Sequence, residues 1–124
     1  MKRKITNLLF CLALVAALPA FAHGPMTARH GGVVQMVNDR QYELTHQGGM
    51  VTLYVEDHEA KVATSGMSGK LTVLNGSDKT ETPLLAGQGN DLVAKDPVTV
   101  KSGTKIVASI KDGKGVALVR FTIK

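Results

Sequence analysis

Short runs in which apolar and polar residues alternate, broken every eight to twelve residues by turn-forming residues, fix what this chain can fold into. In 40–46, Tyr42, Leu44 and His46 fall on one side, and Gln41, Glu43 and Thr45 on the other. In 50–56, Val51, Leu53 and Val55 face one way. The stretches 105–111 and 116–123 repeat the pattern, and Lys111-Asp112-Gly113-Lys114 between them has the chemistry of a hairpin turn. Further runs lie at 32–37 and at 70–74, which places Leu71 and Val73 together, and weaker ones at 79–85, 91–94 and 98–101, separated by Asn38-Asp39, Gln47-Gly48-Gly49, Asn75-Gly76 and Gly87-Gln88-Gly89-Asn90. A period of two buries one face of a strand and wets the other. No segment carries a helical stripe longer than two turns, and Asp57-His58-Glu59 reads as a loop. The expected fold is all-β: an antiparallel β-sandwich of immunoglobulin-like or Greek-key type, or a small barrel, of about seven to nine short strands.

The first 22 residues stand apart. Met-Lys-Arg-Lys, an apolar run from Leu8 to Leu18 and Ala20-Phe21-Ala22 have the order of a secretory signal peptide, with cleavage expected after Ala22. The apolar run is shorter than a membrane-spanning helix, which needs about 20 residues. The expected organisation is a signal peptide at 1–22, a flexible N-terminal arm at 23–31 and one β domain at 32–124. The mature chain carries no cysteine, because Cys11 lies in the signal. It therefore has neither disulfides nor a thiolate nucleophile. Its 12 basic and 10 acidic residues leave a net charge of +2, with no Lys/Arg run that reads as a nucleic-acid or anionic-lipid footprint. The expectation is a soluble periplasmic monomer that does not insert into the membrane. Its core is mostly aliphatic, since only Tyr42, Tyr54 and Phe121 are aromatic.

Imidazole and thioether are the soft ligands left. His23, His30, His46, His58, Met26, Met36, Met50 and Met67 all survive processing. Thioether sulfur favours Cu(I) and imidazole serves both copper oxidation states, so the set suits copper better than zinc. Cleavage after Ala22 makes His23 an N-terminal chelate of α-amine and ring nitrogen, which a second histidine completes as a three-nitrogen brace. His23, Met26 and His30 form a compact cluster, which reads equally as a polar arm. His58 sits between Asp57 and Glu59, which are able to add oxygen ligands. His46 shares an apolar strand face, where packing with a backbone hydrogen bond is the ordinary expectation. Met36 and Met50 are expected to fill core gaps. Met67, between Ser65-Gly66 and Ser68-Gly69, is expected to be exposed, as a thioether ligand or a contact for a partner. No nucleophile elbow, phosphate-cradling glycine loop or catalytic carboxylate pair occurs, and the chain is not expected to be an enzyme.

His30-Gly31-Gly32-Val33-Val34, Tyr42-Glu43-Leu44, Leu53-Tyr54-Val55-Glu56-Asp57-His58, Ser68–Leu74 and Arg120-Phe121-Thr122-Ile123 together resemble small periplasmic proteins of Gram-negative bacteria. Such modules occur near or within periplasmic components of heavy-metal efflux systems. The resemblance spans nearly the whole mature chain. It implies an all-β periplasmic domain tied to handling of copper, silver, zinc or cobalt, with an efflux component as partner. The matching ligand positions are His30, Asp57 and His58; His23 lies outside the pattern. The functional expectation is weak binding or chaperoning of copper or another heavy metal in connection with efflux. The alternative is a metal-free module that docks on an envelope complex through a sheet edge or its glycine-rich loops.

Overall fold

The computed structural model describes residues 26–124, and the expected signal peptide and His23 lie outside them. The described residues form nine strands and no helix: β1 (Val33–Val37), β2 (Arg40–Gln47), β3 (Met50–Asp57), β4 (Ala60–Lys61), β5 (Ser68–Asn75), β6 (Asp78–Ala86), β7 (Asp91–Ala94), β8 (Lys105–Lys111) and β9 (Val116–Thr122). All pairings are antiparallel, in the order β1-β2-β3-β7-β6-β5-β8-β9, with β4 folded back on the end of β3. The meander β5–β6–β7 is thus inserted in reverse between the two terminal hairpins. β1 comes to lie beside β9, so the sheet curls into a nearly closed barrel. Of the two architectures expected, this is the small barrel.

Alternation does what the pattern requires. Leu44, Val51, Leu53, Val55, Leu71, Val73, Leu84, Leu92, Ile106, Ile110, Val119 and Phe121 are almost fully buried and fill the interior. Turn chemistry fixes the register. Asn38 and Asp39, with φ of 51° and 61°, join β1 to β2. His58 and Glu59, at 47° and 67°, join β3 to β4. Two consecutive left-handed residues match the twist of a two-residue hairpin, and Asn and Asp tolerate that region well. Glutamate does not favour it, which is why β4 is invisible in the sequence.

The stretch 98–101 is not a strand. Residues 95–104 run across the end of the barrel. Val98 donates its amide to the Gly49 carbonyl at 2.9 Å, and Asn75 Nδ2 donates to the Thr99 carbonyl at 2.9 Å. Val98 turns inward there. The methionines also depart from expectation. Met36 and Met50 are 40% and 37% exposed, whereas Met67 packs against the core. The short link between β4 and β5 turns Met67 inward, and Met36 sits on the outward parity of β1.

Candidate functional site

Glu43 lies on the outward parity of β2, opposite Tyr54 of β3, yet its side chain is 3% exposed. Residues 29–32 cover it. The Glu43 carboxylate accepts hydrogen bonds from the backbone amides of Arg29 (3.0 Å), His30 (2.7 Å) and Gly32 (2.9 Å), and from His30 Nδ1 (3.0 Å). Beside it, Arg29 Nε donates to buried Glu56 at 3.0 Å. The His30 ring lies flat on Tyr54, with centroids 3.6 Å apart and planes 3° from parallel. Gly31 adopts φ 72°, and a Cβ on Gly32 would collide with the Leu44 carbonyl oxygen. Two glycines after His30 are therefore what lets the backbone close over the carboxylate. His30-Gly31-Gly32, Glu43 and Tyr54, which are dispersed in the sequence, form one clasp.

Burial alone would push the Glu43 carboxyl up. The His30 ring and the amides of Gly32, His30 and Arg29 outweigh it and hold the pKa below the ordinary glutamate range. Glu43 is therefore an ionised group that can only accept hydrogen bonds, and His30 Nδ1 must carry the proton. In a neutral His30 ring, Nε2 then holds the lone pair. A carboxylate that fixes a histidine tautomer through its far nitrogen is the usual outer partner of a metal-binding imidazole. Glu43 itself, with four donors around it, has no capacity left to act as a ligand or a base.

His30 lines an open cleft of about 460 Å³, with Leu44, Thr45, His46 and Tyr54 among its walls. His46 lies at the outer end of β2 and is exposed rather than packed, although Val51 opposite it on β3 is fully buried. The cleft is lined by both His30 and His46, although the alternation of β2 reads His46 as packed. It does not contain the other candidates. Asp57 and His58 lie at the far end of β3, with Asp57 three strand residues, roughly 10 Å, beyond Tyr54. The His58 side chain is 84% exposed, and its Nε2 is 3.4 Å from Asp57 Oδ1. Met26 is 51% exposed on the arm, and Met67 belongs to the core margin. Among the described residues, no group of three or more His, Cys, Asp or Glu side chains is placed to hold one ion. Two imidazoles, those of His30 and His46, line the one cleft.

A second open cleft, of about 470 Å³, lies at the opposite end of the barrel among Asn38, Arg40, Tyr42, Asp57, Asp112 and Lys114. Arg40 Nη1 bonds Asp112 Oδ2 at 2.9 Å and ties β2 to the β8–β9 turn. Burial raises the Tyr42 hydroxyl above its ordinary pKa. Arg40 and Asp112 engage each other there, which reads as a structural tie. Among the described residues every buried side-chain polar atom is satisfied, and no helix is long and apolar enough to cross a membrane. No protein-family model, curated protein or solved structure matches the chain.

Proposed function

We propose that this chain is an exported, periplasmic β-barrel domain that weakly binds copper, or another soft or borderline metal ion, in connection with a heavy-metal efflux system. The observation that carries the reading is the Glu43–His30 pair. A buried carboxylate holds Nδ1, a tyrosine fixes the ring plane, and His46 shares the cleft that His30 lines. Two imidazoles, with water or a partner's group completing the shell, give modest affinity, which suits transfer better than storage. The export pattern at 1–22 and the resemblance of the His30, Glu43 and Tyr54 motifs to proteins near efflux components support the same reading. His23, as an amine–imidazole chelate on the same arm, is a candidate additional ligand.

The chain has no tryptophan and only two tyrosines, and one of them stacks on His30. Titration of Cu(II) against tyrosine emission tests the proposal. Saturable quenching is expected, lost in Tyr54→Phe and weakened at least ~10-fold in His30→Ala and in His46→Ala. Quenching unchanged in both histidine variants overturns it.

A further inference from the structure

The β8–β9 hairpin presents an outer face that its charge and its apolar content set apart from the rest of the barrel. Residues 97–124 hold six basic residues and one acid, Asp112, whereas residues 23–96 hold six basic residues and nine acids. Asp112 is already engaged by Arg40. The register puts three of these cations, Lys105, Lys111 and Arg120, on one surface. Ile106, Ala108 and Ile110 point inward from β8, so Lys105, Val107, Ser109 and Lys111 point outward. Val119 and Phe121 point inward from β9, so Val116, Leu118 and Arg120 join them. Leu118 sits opposite Ser109, and Val116 opposite Lys111. Val116 and Leu118 are 56% and 48% exposed, and Met36 on neighbouring β1 has the same outward parity. Among the described residues no ion pair engages Lys105, Lys111, Lys114 or Arg120.

Apolar side chains scattered singly on a surface need no explanation, but adjacent ones rimmed by charge mark a contact surface. We propose that this face docks an acidic surface of a partner protein, one that presents carboxylates around aliphatic side chains. The rim of cations without acidic partners selects the sign. The apolar side chains sit on strand positions rather than on a protruding loop tip, which selects a protein rather than a membrane. The apolar centre, with no aromatic side chain for base stacking, disfavours nucleic acid. The patch is small against the roughly 800 Å² per partner of a stable complex, so the contact belongs to the weak, transient class. This surface is separate from the His30 cleft and does not depend on metal binding.

The test is a nitrogen-15 NMR titration of the purified protein with a soluble peptide whose aliphatic centre of leucine and valine is flanked on both sides by glutamates. Shift changes are expected to cluster in β8, β9 and β1. Affinity is expected to fall about tenfold between low and high salt, because the attraction is between exposed charges. Binding is expected to vanish in Arg120→Glu and in Leu118→Ser, while both spectra keep their folded dispersion. Shifts centred on any other face overturn the proposal. So does binding that survives Leu118→Ser, or a titration in which phosphatidylglycerol vesicles or single-stranded DNA bind this face and the peptide does not.

Discussion

The outer faces of β2–β3 and of β8–β9 belong to the same barrel and treat charge in opposite ways. On β2–β3 two carboxylates, Glu43 and Glu56, are buried beneath the chain's own arm, and every hydrogen-bonding position of Glu43 is filled from within. On β8–β9 aliphatic side chains stay bare among cations. Burying an ionised group is costly unless it is fully paired, so a covered carboxylate implies geometry worth fixing. Exposed aliphatic side chains forgo burial, so a bare apolar patch implies something from outside. One face orients a group already present, and the other waits for a partner.

Substitutions should break this comparison asymmetrically. Glu43→Ala leaves three amides and an imidazole without their acceptor and is expected to cost about 3 kcal/mol, read as a lowered urea midpoint with unchanged slope. Gly32→Val forces a collision with the Leu44 carbonyl and is expected to cost about 2 kcal/mol, with loss of the His30–Tyr54 stack from the NMR spectrum. Leu118→Ser, on the other face, is expected to change stability by no more than about 0.5 kcal/mol. A Leu118→Ser effect as large as that of Glu43→Ala would show that the β8–β9 face is structural.

Acid sharpens the same contrast. The folded-state pKa of Glu43 lies below its unfolded value, so the unfolded chain binds the extra proton first. The clasp's contribution is complete above the ordinary glutamate range and is lost as pH falls through the folded pKa. Urea midpoints for the wild type and Glu43→Gln are therefore expected to converge on acidification and to separate towards neutrality. A gap independent of pH would place the effect of the substitution elsewhere than in charge.

The sequence made the barrel largely legible, because period-two burial and turn residues act locally. Strands β2, β3, β8 and β9 follow from their alternation, and the Lys111–Lys114 turn from its chemistry. The segment 98–101 misled because its β-prone residues spend their hydrogen bonds on Gly49 and Asn75 across the barrel end, a long-range choice that no local pattern records. The clasp was half legible. His30, Gly31, Gly32, Glu43 and Tyr54 were visible as motifs, but Glu43 looked like an ordinary solvated strand residue until the arm covered it. His46 reads as packed because alternation gives its parity but not its exposure at the strand end. The charged face was hidden for a related reason: cations spaced along the chain gather only when the hairpin parity points them the same way.

Glu43 is proposed to hold His30 with Nε2 available as a ligand in the cleft that His46 also lines. Long-range proton–nitrogen NMR of the imidazoles tests it most directly, first alone and then with Zn(II) as a diamagnetic probe. The expected result is a His30 ring with a proton on Nδ1 towards Glu43, and zinc-induced shifts at His30 Nε2 and on the His46 ring while His58 stays unmoved. A His30 ring without a proton on Nδ1, or zinc-induced shifts confined to His58, would contradict it.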